Sequence, residues 1–193
     1  MRTPLALSVL LSLAACNRRE AAAQPARAAA TASLSVSSPA RTTIVAEGDV
    51  APSFRATAHD GTAVVSDGRP RARALVVYFY PRDETPGCTR EAQAFRDVRG
   101  QFEAAGADIV GVSTDSASSH AEFARHHGLN FGLIADADGA LARAFGLSVM
   151  VFAPRTTFVI GRDGRVARVF PGVRVEGHAE AVLAAVRALP AGR

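Results

Sequence analysis

The run Leu75-Val76-Val77-Tyr78-Phe79 constrains the fold more than any other stretch of this chain. It is continuously apolar and rich in β-branched and aromatic residues, without the polar alternation of a strand that has one wet face. Such a run reads as a central strand covered on both sides. The rest of the chain supplies the cover. After Cys88, Phe95, Val98 and Phe102 recur at helical spacing and predict a helix packed on the sheet. Asp108–Val112 reads as the next strand, Ser116–His127 as a helix ended by Gly128, Phe131–Ile134 as a third strand, and Ala140–Phe145 as a short helix. Thr156–Ile160 and Val166–Phe170 flank the turn Arg162-Asp163-Gly164 and read as a hairpin, and His178–Leu189 closes the pattern as an amphipathic helix. Upstream, Asp60-Gly61 marks a turn between two short strands. Strands alternating with helices, then a hairpin and a helix, predict an α/β sandwich with a mixed central sheet. Periodicity alone goes no further, and there are no internal repeats.

The central strand runs directly into Tyr80-Pro81-Arg82-Asp83-Glu84-Thr85-Pro86-Gly87-Cys88-Thr89. This order places Cys88 in the first turn of the following helix, where unpaired N–H groups and the helix dipole favour a thiolate. A connecting turn of this kind is also where a reactive group meets solvent. Thr85 brings a hydroxyl that can donate and accept. The plain alternative is a small buried thiol at the start of a core helix.

Pro81, Thr85 and Cys88 form a Pro-x-x-x-Thr-x-x-Cys string that resembles the active-site loop of the peroxiredoxins. The longer string, Tyr78-Phe79-Tyr80-Pro81 through Thr85-Pro86-Gly87-Cys88-Thr89-Arg90-Glu91-Ala92, resembles their Q-type branch, the bacterioferritin comigratory proteins. Ala46–Phe54 is similar to the opening of peroxiredoxin domains. The resemblance runs from about Val45 to Leu189. It implies a thioredoxin-like fold and a thiol-dependent peroxidase acting on hydrogen peroxide and organic hydroperoxides. It further implies that Cys88 is the nucleophile and is oxidised to sulfenic acid, with no cofactor. Pro81 would shield the sulfur and Thr85 would orient the peroxide. Arg155, in Pro154-Arg155-Thr156-Thr157-Phe158, matches the family arginine before the Thr-Phe strand. It would favour the thiolate and donate to the departing oxygen. Glu91 is read either as the group that orients this arginine or as a surface carboxylate, with Thr89 and Arg82 as loop supports.

The chain departs from many Q-type members at Gln93, where a second cysteine commonly stands, and it has no cysteine between Ser116 and His127. An external thiol or thioredoxin-like reductant is therefore expected to recycle Cys88. Two rival readings stand beside the peroxidase. A thiol-disulfide oxidoreductase commonly uses Cys-x-x-Cys, but Glu91 occupies the third position after Cys88. The other rival is a non-enzymatic exported domain that kept the fold.

The only cysteines are Cys16 and Cys88, which excludes a disulfide scaffold and a multi-cysteine zinc site. His126-His127 is read as a solvated helix face, because adjacent helical residues point about 100° apart and do not easily share one metal ion. The formal charge of +4 is spread along the chain, with no aromatic-basic pattern, so nucleic acid is not an expected partner. Met1-Arg2 followed by the apolar Leu5–Ala15 reads as an export signal, too short for the roughly 20 residues that span a bilayer. Leu13-Ala14-Ala15-Cys16 resembles a bacterial lipobox, which predicts a signal over 1–15 and lipidation of Cys16. Residues 16–44 are then a disordered Ala-rich tether and 45–193 the folded domain, held on the periplasmic side of a membrane. The alternative is a soluble periplasmic protein.

Overall fold

In a computed structural model, which describes residues 31–190, the chain forms eight strands and four helices in the order β1 (Ser33–Val36), β2 (Phe54–Thr57), β3 (Ala63–Ser66), β4 (Ala74–Phe79), α1 (Pro86–Ala104), β5 (Ala107–Ser113), α2 (Ala117–His127), β6 (Gly132–Ala135), α3 (Ala140–Ala144), β7 (Thr156–Ile160), β8 (Val166–Pro171) and α4 (His178–Arg187). A five-stranded sheet runs β6-β5-β4-β7-β8, and a separate three-stranded sheet runs β1-β2-β3. β5 and β6 continue β4 in parallel, whereas β7 lies antiparallel to β4 and β8 antiparallel to β7. This is the expected mixed α/β sheet.

Every residue of β4 is buried, and its side chains alternate between two cores. Leu75, Val77 and Phe79 pack with Phe145, Phe158 and the small sheet. Ala74, Val76 and Tyr78, followed by Tyr80, pack under α1 and α4 with Phe95, Phe102, Val182 and Val186. A period of two on a strand wet on neither face yields the unbroken apolar run seen in the sequence. Tyr78 stacks on Phe95 with ring centroids 4.8 Å apart. Gly111, its register partner on β5, makes room: a Cβ there would lie 2.7 Å from the Tyr78 ring.

The helices begin and end where local chemistry directs. Pro86 opens α1 with its φ already helical and no N–H to satisfy. Ser116 caps α2 by accepting from Ser119 N, and Gly128 ends it in the left-handed region at φ 60°.

The expected tether needs correction. Residues 33–36, placed within it, form β1, which pairs antiparallel with β2 in the register Leu34↔Ala56. Leu34 and Val36 pack on the core, whereas Ser33 and Ser35 face outward. Further on, Arg41 N donates to the Arg143 carbonyl, and a Cβ at Gly146 would strike the Thr43 carbonyl. The folded body therefore takes in residues 33–44 as well. The signal segment, Cys16 and the first part of the tether lie outside the described residues. Among the described residues no helix is long and apolar enough to cross a membrane.

Candidate active site

β4 ends at Phe79, and the loop from Tyr80 to Thr85 carries the chain over the sheet's edge into α1. Thr85 is the N-cap residue of α1, so Pro86, Gly87 and Cys88 are its first three helical positions. Cys88 thus has the predicted place in the first turn, where backbone N–H groups lack helical acceptors. It is not an open, solvent-facing thiol, however, being 1 % exposed. The polar company that solvent would supply comes from Arg155, whose Nη2 donates to Cys88 Sγ at 3.2 Å.

Topology brings Arg155 there. β7 runs antiparallel beside β4 with Thr156 opposite Phe79. The residue before β7 therefore emerges at the end of the sheet where β4 turns into α1. Gly87 keeps the approach clear, since a Cβ on it would lie 3.3 Å from Arg155 Nη2. The other guanidinium nitrogen, Nη1, pairs with Glu91 Oε2. Glu91 is 1 % exposed, which overturns its reading as a surface carboxylate. One turn beyond Cys88 on α1, it faces inward and holds the far side of the arginine.

The ionisation of this group follows from burial set against pairing. Burial pushes the Glu91 carboxyl up to about 7, although Arg155 pulls the other way. Burial disfavours the Arg155 cation, but Glu91 and Cys88 outweigh that and hold it above its ordinary range. Behind Glu91 lies His178, the first residue of α4, which the sequence reading passed over. Its Nε2 is 2.8 Å from Thr157 Oγ1 and 3.9 Å from Glu91 Oε1. Burial, then the Arg155 charge, bring the imidazole down to about 4.

The loop before Cys88 is fastened by groups that no motif marked. Asp83 Oδ1 accepts from Tyr80 Oη at 2.7 Å, and its Oδ2 accepts from Ser119 Oγ at 2.6 Å and lies 2.9 Å from His120 Nδ1. Asp83 N donates to Asp115 Oδ2 at 2.8 Å. Burial alone would raise the Asp83 carboxyl, but its hydrogen bonds, led by His120, hold it below the usual range. Glu84, with φ 58°, turns its two oxygens to His126 Nδ1 at 3.0 Å and His127 Nε2 at 2.8 Å. The two imidazoles are thus a clamp on the loop and not merely a solvated face. A carboxylate with two oxygens can meet two diverging side chains that a single ion could not.

The remaining predicted residues take quieter places. Thr85 Oγ1 donates to the Arg82 carbonyl at 3.1 Å and makes no side-chain cap of α1. Pro81 opens the loop half-buried. Arg82 lies 3.9 Å from Asp115 and 5.8 Å from the Phe152 ring centroid. Thr89 sits in the first turn of α1, its N–H donating to the Thr85 carbonyl at 2.8 Å. Among the described residues no cluster of His, Cys, Asp and Glu could hold a metal ion.

Residues 47–169 match the AhpC/TSA family. The chain is 43 % identical over 122 residues to peroxiredoxin Bcp of Xanthomonas campestris pv. campestris, covering 59 % of this chain and 76 % of that one. It is 40 % identical over 129 residues to the chloroplastic peroxiredoxin Q of Oryza sativa subsp. japonica, covering 65 % of this chain and 59 % of that one. The crystal structure of peroxidoxin BcpB from Mycobacterium tuberculosis superposes with a TM-score of 0.70 at 33 % identity, over 76 % of this chain and 99 % of that one. The chain belongs to the AhpC/TSA family and is a peroxiredoxin of the Bcp/Q type.

This peroxiredoxin therefore has the thioredoxin-like fold, with strand β4 delivering its cysteine to the head of α1. Its class is peroxidase, with a peroxide as substrate and a thiol as reductant. The disulfide oxidoreductase alternative is not favoured.

Proposed function

We propose that Cys88 is the peroxidatic thiolate and that Arg155 and Glu91 are its electrostatic partners. In the reaction, the sulfur anion attacks one oxygen of the hydroperoxide and the O–O bond breaks. The second oxygen leaves with the bonding electron pair and takes up a proton to give water or an alcohol. Cys88 is left as sulfenic acid, oxidised by two electrons. The observation that carries this reading is the 3.2 Å hydrogen bond from Arg155 Nη2 to Cys88 Sγ. A guanidinium at that distance can stabilise charge on the sulfur and then on the departing oxygen. Glu91, on the other nitrogen, restrains the guanidinium so that it need not reorganise during attack. In this reading Pro81 shields the sulfur, and the Thr85 hydroxyl, which donates to the Arg82 carbonyl at 3.1 Å, turns to orient the peroxide.

Regeneration is intermolecular in this reading. With Gln93 five residues after Cys88 and no cysteine from Ser116 to His127, the chain supplies only Cys16 besides Cys88. An external thiol attacks the sulfenic sulfur, releasing water, and a second thiol resolves the mixed disulfide. Export with a lipid anchor on Cys16 belongs to the same proposal and rests on the lipobox-like Leu13-Ala14-Ala15-Cys16. On treatment with one equivalent of hydrogen peroxide, the wild-type protein should become trappable as a sulfenic acid at Cys88 within seconds, and Cys88→Ser should consume none above background. Peroxide turnover that survives in the serine variant would assign the chemistry elsewhere.

A further inference from the structure

Glu91 is buried on every side, yet only one of its oxygens is hydrogen-bonded. Oε2 receives Arg155, whereas Oε1 is buried with no hydrogen-bond partner among the described residues. A half-satisfied buried carboxylate calls for a further donor. His178 Nε2 stands 3.9 Å from that oxygen, just beyond hydrogen-bond range. The ring is not free to drift. It is wedged edge-on between Phe95 and Phe170, with centroids 5.6 Å and 5.5 Å away, and its Nε2 is held 2.8 Å from Thr157 Oγ1.

We propose that His178 is a positioning residue for peroxide reduction: its Nε2–H, aimed by Thr157, holds Glu91 in the charged form that pins Arg155 against Cys88. This rests on the peroxidase reading of Cys88. A carboxylate oxygen facing Nε2 selects the tautomer with the proton on that nitrogen. Fixed 2.8 Å from Thr157 Oγ1 and 3.9 Å from Oε1, the Nε2–H acts on the carboxylate through its dipole across a buried, low-dielectric gap and not by a direct hydrogen bond. The groups facing Glu91 are Cys88 on its own helix, Arg155 before β7, Tyr78 on β4 and His178 on α4. Burial keeps the Tyr78 hydroxyl well above its ordinary range, so it stays un-ionised. His178, down at about 4, stays neutral from pH 5.5 to 9. Glu91, up at about 7, is thus the group behind Arg155 that changes charge across neutrality.

The test is the rate constant of Cys88 oxidation by hydrogen peroxide, followed by stopped flow from pH 5.5 to 9 and expressed as the ratio of variant to wild type. The thiolate fraction of each protein is followed separately by its ultraviolet absorbance, and the rate constants are compared per thiolate. His178→Phe keeps the aromatic packing and removes the donor. If that raises the Glu91 midpoint by about one pH unit, its charged fraction at pH 7 falls from about a half to about one tenth. The ratio should then drop roughly fivefold at pH 7 and recover above about pH 9. His178→Gln, whose amide reaches the place of Nε2, should restore most of the rate. In a Glu91→Gln background, His178→Phe should change nothing with pH. Should His178→Phe fail to fold, Thr157→Val must give the same pH-dependent ratio at smaller amplitude. A ratio flat with pH, or a Phe variant that outperforms Gln, overturns the proposal. A wild-type protein that does not consume peroxide refutes the peroxidase reading instead.

Discussion

Replacing Glu91 by Gln should make this protein more stable at alkaline pH while making it a worse enzyme. Glu91 is 1 % exposed and ionises at about 7 where an ordinary glutamate ionises near 4.5, because burial outweighs the attraction of Arg155. That gap of about 2.5 pH units corresponds to about 3 kcal/mol by which the fold prefers the neutral carboxyl. With a raised folded value, the contribution is fully present below about pH 4.5, erodes as pH climbs, and is gone above about pH 8. Glutamine imitates the protonated acid at all pH values. Urea unfolding of the two proteins should coincide near pH 4.5 and diverge as pH rises. At pH 8.5 glutamine should be ahead by up to about 3 kcal/mol, or about 1–2 M in midpoint. Peroxide reactivity should move the other way, since Arg155 loses the anion that holds it. A stability difference independent of pH, or a glutamine variant less stable than wild type at pH 8.5, would refute the reasoning. Either result would mean that the ion pair, not the desolvation, decides the energetics of this buried contact.

Arg155→Ala should slow Cys88 oxidation by about 10²–10³-fold, the range seen when one preorganised donor to a developing oxyanion is removed. Stopped-flow rates measured with excess peroxide would show it, and an unchanged rate would take the arginine out of the mechanism. Asp83→Ala should destabilise the protein by about 3–5 kcal/mol, because Tyr80, Ser119 and His120 would lose a shared buried acceptor. Because the Asp83 carboxyl is held below its ordinary 3.8, the part of that stabilisation linked to its ionisation is present above about pH 4 and is lost as pH falls through the lowered value. Urea unfolding should therefore show the wild-type advantage shrinking on acidification, and an advantage that survives unchanged at pH 3 would count against the network.

What could be read in advance was whatever local pattern determines. The apolar run of β4, the place of Cys88 in the first turn of α1 and the Gly128 stop each depend on a few neighbouring residues, and each stands where the sequence placed it. β1 escaped because Ser33-Leu34-Ser35-Val36 is only four residues of alternation inside an alanine-rich stretch, and its strand character comes from β2. Glu91 was ambiguous because α1 offers a carboxylate to either face, and only the packing against Arg155 makes its face an inner one. His178 was invisible for a different reason. Its partners, Thr157 and Glu91, are 21 and 87 positions away in the sequence, and no local signal joins them. A histidine opening an amphipathic helix announces packing. Its chemistry depends on which strand lies beneath.

That strand is β7, and its direction explains why the site is assembled at all. In β7 the residues at 157 and 159 share the α1 and α4 side of the sheet with Tyr78 and Val76, their register partners on β4. Running antiparallel to β4, β7 presents its beginning where β4 ends. A single register, Phe79 opposite Thr156, therefore sets Arg155 at the cysteine and Thr157 beneath α4. Had β7 been parallel, its first residues would lie at the opposite end of the sheet, about 15–20 Å from the head of α1 for a strand of five residues. The arginine and the histidine would then be lost to the thiol together. A one-residue slip would be as damaging, because it would turn Thr157 to the other core and strand His178 without its hydroxyl. The sheet thus works as a ruler. Buried hydrophobic residues on both faces of β4 and β7 fix the register, and the register brings Arg155 to the sulfur and Thr157 beneath His178.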